Sequence, residues 1–339
     1  PRWATRAEPE GADLRKTEVL TLLRASGDYL SGQELCGRLG VSRTAVWKII
    51  NQLKEEGYEI EAVPNRGYRL LASPDLLGES EIQSRLHTRW AGKNLIFRPV
   101  TGSTNIDAKA AAEEGAPEGT LVVTERQEAG RGRRGRGWDS PEGCNLYFTL
   151  LLRPGCTPDQ ACMLTLVMAL AVTKAVRKLG VDAGIKWPND IVVSGKKVCG
   201  ILTEMSAEPD FIHYVVIGTG INVNQESFPE EISATATSLR LEKGERIGRA
   251  GLLSAVMEQF ESAYQTFCST WDLSALTAEY ESMLLNKDRP VRVLDPKGEF
   301  EGTARGINEK GELLVERRDG RLACVYAGEV SVRGIYGYV

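Results

Sequence analysis

The hydrophobic period of this 339-residue chain changes twice, and those changes restrict its fold more than any single residue does. Residues 17 to 71 open with helical stripes, residues from about 80 alternate strands with helices, and from about 286 only short β-prone runs remain between turn signals. This succession predicts an α+β protein of several domains: a polar tail over 1–16, a helical unit with a β wing over 17–72, an α/β core with a mixed sheet over 80–285, and a small β-barrel over 286–339. ASPDLLGESE, residues 72–81, reads as the linker between the first two domains.

In TEVLTLLRASG, Val19, Leu20, Leu22 and Leu23 form one stripe closed by Gly27. Leu35 and Leu39 mark a second short helix ended by Gly40. Ser42 is placed to cap a third, whose Val46, Ile49, Ile50 and Leu53 face inward. Two short helices about a glycine turn make a helix-turn-helix. YEIEAVPNRGYRLL then supplies two β-prone runs joined by Pro64-Asn65-Arg66-Gly67, which completes a winged helix. Arg43, Thr44, Trp47, Lys48 and Asn51 would lie on the outer face of the third helix and Arg66 at the wing tip, residue types suited to DNA phosphates and base edges. A winged helix used only for protein contacts fits the same pattern, because the flanking charge is mixed.

The formal net charge is -4, so nucleic acid would have to be met by that local basic face and not by the field of the whole molecule. Seven cysteines (36, 144, 156, 162, 199, 268, 324) without any C-x-x-C predict reduced thiols in a cytoplasmic protein and argue against a structural zinc site. Only His87 and His213 are present, neither within a motif, so a histidine-based triad or metal site has few candidates. The longest apolar run, CMLTLVMALAV at 162–172, is too short to span a bilayer and continues as the amphipathic TKAVRKLG. It reads as a buried helix, and no membrane association is expected. The opening residues carry no leader pattern.

EAGRGRRGRGW, residues 128–138, follows the predicted strand TLVVTERQ and sets Arg131, Arg133, Arg134 and Arg136 among four glycines ahead of Trp138. Gly130, Gly132 and Gly135 satisfy the spacing of a dinucleotide fingerprint, but the loop leads to a turn and a strand, not into a helix. Four guanidiniums in so short a loop repel one another, so it is expected to be mobile and solvated until an anion neutralises it. Phosphate or carboxylate oxygens would accept bidentate contacts from the arginines and backbone N–H groups from the glycines. A polyphosphate held there needs positioning and charge stabilisation, with no compulsory histidine or cysteine nucleophile. RGG-like RNA-binding and localisation-like basic runs are the alternatives, against which the setting between two firm strands weighs.

Three further motifs accompany the loop. TGSTN at 101–105 lies between a strand and a helix, where Ser103 or Thr104 serves as N-cap with Asp107 near the capping-box position, or else Ser103, Thr104 and Asn105 meet a small polar ligand. IKWPND at 185–190 offers Lys186, behind Trp187, as a point charge for a carboxylate or α-phosphate. GTGIN at 218–222 ends an apolar strand in glycines, which mark a plain turn or a close approach of backbone to ligand.

Together STN, Q-x-x-G-R-G-R-R-G-R-x-W, KWPND, K-x-x-GIL-x-E at 197–204, GxGINVN and GEVSVR resemble the biotin protein ligases over nearly the whole chain. The resemblance is to the bifunctional bacterial form, a ligase that is also a biotin-dependent transcriptional repressor. It implies a winged helix-turn-helix, a ligase core and an SH3-like C-terminal barrel. It also implies biotin and ATP with substrate-bound Mg2+, a biotin carboxyl carrier protein domain as acceptor, operator DNA, a homodimer when biotinyl-5′-AMP is bound, and no protein metal site. Carried over by motif, Ser103, Thr104, Asn105, Gln127, Gly132 and Gly218 would hold biotin. Arg131 and Arg133 would serve both biotin and nucleotide, and Arg136, Trp138, Asn189 and Asn222 the nucleotide. Lys186 and Arg133 would stabilise charge at the reacting carboxylate and phosphate. A non-catalytic ligand-sensing regulator and a lipoate-attaching enzyme of the same core fold are the rival readings.

Overall fold

The computed structural model describes residues 11–295, 298–326 and 331–334. The chain divides into two units, Pro1–His87 with Gly248–Ser254, and Thr88–Ile247 with Ala255–Val339. The first contains α1 (Gly11–Ser26), α2 (Gly32–Leu39), α3 (Arg43–Glu55), the hairpin of β1 (Glu59–Val63) and β2 (Gly67–Ala72), and α4 (Glu79–Gln83). Ser31 and Ser42 cap α2 and α3 through their hydroxyls, and Gly40 closes α2 in the left-handed region. Val19, Leu20, Leu23, Leu35, Val46, Ile50 and Leu53 form the core. Gly67, at φ +110, lets the wing run against Leu30: a Cβ there would stand 1.9 Å from the Leu30 carbonyl oxygen. Leu30 and Tyr68 exchange two backbone hydrogen bonds across this approach.

Two expectations are corrected in this unit. Residues 11–16, read as tail, are the first turns of α1, and 1–10 lie outside the described residues. The end of the expected linker is α4, packed on α1. Its Glu81 is buried and accepts from Arg24 Nη2 at 2.6 Å, Arg85 Nε at 2.6 Å and the Tyr58 hydroxyl at 2.7 Å. A carboxylate taken out of water needs such partners, so this acid ties two helices together. Asp75, inside the same stretch, accepts from the backbone N–H (2.9 Å) and Nε (3.1 Å) of buried Arg249.

The second unit begins with β3 (Leu95–Thr101), α5 (Thr104–Glu113), β4 (Leu121–Gln127) and β5 (Leu146–Leu152). After α6 (Pro158–Ala161) and α7 (Leu164–Lys178) come β6 (Ala183–Lys186), β7 (Asp190–Val193), β8 (Lys196–Glu208) and β9 (Phe211–Ile221). The short helices α8 (Glu230–Ser233) and α9 (Leu239–Lys243) precede α10 (Arg249–Thr270), whose first residues belong to the first unit, and α11 (Thr277–Glu281). The seven strands form one mixed sheet in the order β3-β4-β5-β9-β8-β7-β6, parallel only between β3 and β4. The apolar run once read as too short extends over Pro158–Lys178, long and apolar enough by length and composition to cross a membrane, but 72% of its most apolar window is buried inside the protein.

β10 (Pro290–Leu294), β11 (Phe300–Ile307), β12 (Leu313–Arg317), β13 (Leu322–Val325) and β14 (Ser331–Gly334) make a five-stranded antiparallel sheet in the order β13-β12-β11-β10-β14. It lies in the same unit as the seven-stranded sheet. The reasons are local: Glu281 accepts from the Ile307 N–H at 3.0 Å, and the indole N–H of buried Trp187 donates to the Gly311 carbonyl at 3.0 Å. Residues 327–330 of the GEVSVR stretch and its lead-in lie outside the described residues.

Candidate active site

β3 and β4 run parallel with Thr101 and Gln127 in register at their ends, so the start of α5 and the Gln127 side chain meet. Of the capping reading of TGSTN, the position holds and the side-chain bond does not. Ser103 is the N-cap but makes no side-chain cap hydrogen bond, and Asp107 accepts from the Thr101 hydroxyl at 2.6 Å. Gln127 Oε1 instead takes the Thr104 N–H at 3.0 Å. A side chain from another strand therefore satisfies the helix end, and Ser103 Oγ is not spent on it.

Asn105 is fixed at both ends. Its Oδ1 lies 2.7 Å from the hydroxyl of Thr149, a buried residue of β5, and its Nδ2 donates to Glu204 Oε2 at 2.7 Å. Lys109 Nζ holds the other Glu204 oxygen at 2.6 Å. Burial raises the Glu204 pKa, but the hydrogen bonds from Lys109 and Asn105 outweigh it, and the carboxyl sits below its ordinary value. Gly218 makes room: a Cβ there would come within 2.1 Å of Asn105 Oδ1.

The Arg/Gly loop, expected to be mobile, has a hydrogen-bonded fold of its own. Gly132 N–H donates to the Arg136 carbonyl at 2.7 Å and Trp138 N–H to the Gly130 carbonyl at 2.9 Å, around a turn of 3-10 helix at Arg133–Gly135. Charge repulsion is met by divergence, with Arg131, Arg134 and Arg136 exposed to water while Arg133 turns inward. Arg133 Nη1 donates to Asn189 Oδ1 at 3.0 Å, and Asn189 Nδ2 donates to the Ile201 carbonyl at 3.1 Å. Burial lowers the Arg133 pKa and Asp190 opposes the fall; a guanidinium stays charged through such a shift.

Trp138 rests on strand positions without side chains. A Cβ at Gly220 would lie 2.5 Å from the indole Nε1, and one at Gly200 2.9 Å from the ring. Lys197 Nζ stands 5.3 Å from the ring centroid and 2.6 Å from Asp190 Oδ1. The indole Nε1 is buried with no hydrogen-bond partner among the described residues.

Ser103, Thr104, Asn105, Gln127, Arg131, Gly132, Arg133, Trp138, Asn189 and Gly218 line one cleft. Its free volume is ≈ 50 Å³, far below the several hundred of a usual ligand pocket. An adjoining cavity of ≈ 280 Å³ is lined by Arg133, Arg136, Trp138, Asn189 and Asn222, the last of which donates to the Thr237 carbonyl at 3.1 Å. Lys186 is set apart from both linings. It is buried at the end of β6, in register with Asp190, and the Trp187 ring beside it points to Gly311 and not toward the loop. Sequence reading overlooked Thr149, Lys197, Gly200, Glu204 and Gly220. Four of them stood in motifs already noted, K-x-x-GIL-x-E and GTGIN, and Thr149 is the lone hydroxyl in an otherwise apolar stretch, FTLLL.

In the first unit Arg43, Thr44, Trp47 and Lys48 are exposed along α3 and Asn51 is half-buried. Arg66 reaches the wing tip but lies over the Tyr29 ring, 4.1 Å from its centroid.

Profiles of three families match the chain in order: an HTH domain over residues 15–69, the Biotin/lipoate A/B protein ligase family over 98–222, and the Biotin protein ligase C terminal domain over 288–333. The bifunctional ligase/repressor BirA of Bacillus subtilis (strain 168) is 42% identical over 322 residues, which cover 94% of this chain and 98% of that protein. The protein of the same name from Escherichia coli (strain K12) is 33% identical over 315 residues, 93% of this chain and 96% of that one. Among solved structures, the biotin protein ligase from Aquifex aeolicus in complex with biotin and ATP superimposes with a TM-score of 0.63 at 34% identity, covering 71% of this chain and 99% of that one. With such relatives along nearly its whole length, the chain belongs to the biotin protein ligases, as a bifunctional member that joins the ligase to a helix-turn-helix repressor domain.

Proposed function

We propose that the cleft beneath the Arg/Gly loop takes biotin and the adjoining cavity the nucleotide, for a reaction in two steps. The biotin carboxylate attacks the α-phosphorus of ATP, forming biotinyl-5′-AMP and releasing pyrophosphate. The amine of one lysine on a biotin carboxyl carrier domain then attacks the mixed anhydride carbonyl, and AMP leaves. The observation that carries this reading is the convergence of Ser103, Asn105, Gln127 and Arg133 on one cleft, with Asn105 locked by Thr149 and Glu204. Ser103, Thr104, Asn105 and Gln127 hydrogen-bond the polar head group, with Arg131, Gly132 and Gly218 closing around it. Arg133 and Lys186 stabilise charge on carboxylate and phosphate oxygens, Trp138 flanks adenine with Asn222 and Asn189, and Arg136 meets phosphate.

The cleft is too narrow for biotin as it stands, so the loop lifts to admit it and returns over the acyl nucleotide, shielding the anhydride from water. Mg2+ in this reading enters on the triphosphate, whose oxygens it neutralises. The reading includes biotin-dependent repression, in which loop closure over the adenylate favours a homodimer that presents two winged helices to a palindromic operator. Incubation with biotin, Mg-ATP and a carrier domain should release pyrophosphate and biotinylate one lysine; an unmodified carrier would sink the ligation steps, and preferential adenylation of lipoate would reassign the substrate. Sedimentation with and without biotinyl-5′-AMP tests the dimer.

A further inference from the structure

Trp187 follows Lys186 directly and is almost completely buried, yet its ring does not enter the cleft. Its two N–H groups are taken by residues far along the chain. The backbone N–H donates to Asn286 Oδ1 at 2.8 Å and the indole N–H to the Gly311 carbonyl at 3.0 Å. Around it, Ile185 N–H donates to the Met283 carbonyl at 2.7 Å and Leu285 N–H to the Ile185 carbonyl at 2.9 Å, so residues 283–285 continue the sheet beyond β6. Gly184 permits that approach, since a Cβ there would collide with Leu285 at 2.5 Å. The KWPND segment is thus gripped from outside, and its other end carries Asn189, the acceptor of Arg133.

We infer that Asn286 is a positioning residue for the adenylation step, acting through the Trp187 backbone to set where Lys186 and Asn189 stand. Asn286 is fully buried, and only its oxygen is engaged; Nδ2 has no hydrogen-bond partner among the described residues. A residue needed only to fill space would use neither atom. One whose function is to hold a backbone N–H needs only the acceptor. The inference rests on the proposed part of Lys186 in the first step.

The test is pyrophosphate release by the full chain with biotin and Mg-ATP, for Asn286→Leu, Asn286→Asp, Trp187→Phe, Tyr280→Phe and Lys186→Met, each checked for folding by thermal melting. Asn286→Leu keeps the volume and loses the acceptor. Its kcat should fall roughly 10- to 100-fold, the scale of a misplacement of about 1 Å, with KM for biotin and ATP moved less than about threefold. Asn286→Asp keeps the oxygen and should recover most of that loss, and Trp187→Phe should fall between the two. Tyr280→Phe removes a buried hydroxyl without a partner among the described residues and should leave the rate unchanged. If Asn286→Leu melts like the parent and retains its kcat, or if Asn286→Asp is no better, the positioning role is overturned while a Lys186→Met defect still stands. If Lys186→Met itself is fully active, the reading of Lys186 fails, and with it the premise for Asn286.

Discussion

Gly220 and Glu204 act on the site without being ligands in the proposed reading. Alanine at 220 would put a methyl group 2.5 Å from the Trp138 nitrogen, on a β strand that cannot yield. The indole must swing out, and we expect KM for ATP to rise about tenfold, equivalent to about 1.4 kcal/mol, while biotin affinity changes little; an unchanged KM would separate Trp138 from the nucleotide. Glu204 sets a pH dependence. Its folded pKa lies below the ordinary 4.5 because the hydrogen bonds from Lys109 and Asn105 exceed the effect of burial. A depressed pKa contributes stability above the unfolded value that is lost as pH falls through the folded one. Biotin binding should therefore be flat through neutral pH and weaken only in acid, below the ordinary carboxylate range, and calorimetric titration of Glu204→Gln should show weaker binding without that acid limb. These positions were visible as letters in motifs, but not as contacts. Nothing in a linear string says that Asn105 will meet Thr149 and Glu204 from two different strands.

At the scale of elements, the helix-turn-helix and its wing were readable because each signal is local: a cap at Ser42, Gly40 after a stripe, a turn at 64–67. The joint between α1 and α4 was not, since Arg24 and Glu81 meet across 57 positions of sequence and the intervening Pro, Gly and Ser content imitates a linker. Glu81→Ala should strand two guanidiniums and lower the stability of this unit by roughly 3 kcal/mol, measurable by denaturant unfolding. Gly67→Ala, facing the Leu30 carbonyl at a positive φ, should cost at least about 1–3 kcal/mol and loosen the wing first. Hydrogen exchange at Tyr68 that stays as slow as in the parent would refute that assignment. The turn inside the Arg/Gly loop was hidden for the opposite reason: its charges were counted without allowing their side chains to diverge into water.

At the scale of the whole molecule, the order of textures along the chain foretold helices, then a mixed sheet, then a small β-barrel, where the structure describes five antiparallel strands. It could not foretell that the last two share one unit, because the tie runs through single contacts such as Trp187 to Gly311. The division into two units separates the two activities by mutation. Replacing Arg43 and Lys48 on the exposed face of α3 by alanine should weaken operator binding and reduce the dependence of its affinity on salt by about one unit of slope per lost phosphate contact. Carrier biotinylation should keep its parental rate in the same protein. Gel-shift titrations across a salt series, paired with the carrier assay, check both halves of that statement.

The bare strands beneath Trp138 have one more consequence. Where two glycines form the floor, the strands offer no Cβ of their own to refill the space when the ring above is trimmed, and Lys197 beside it keeps its carboxylate partner Asp190, so leucine at 138 would leave a dent the shape of the missing benzo ring. That dent faces the cavity assigned to the base. Synthetic triphosphates with an enlarged purine would fit it and be refused by the parent, giving a labelling enzyme that answers to its own private fuel.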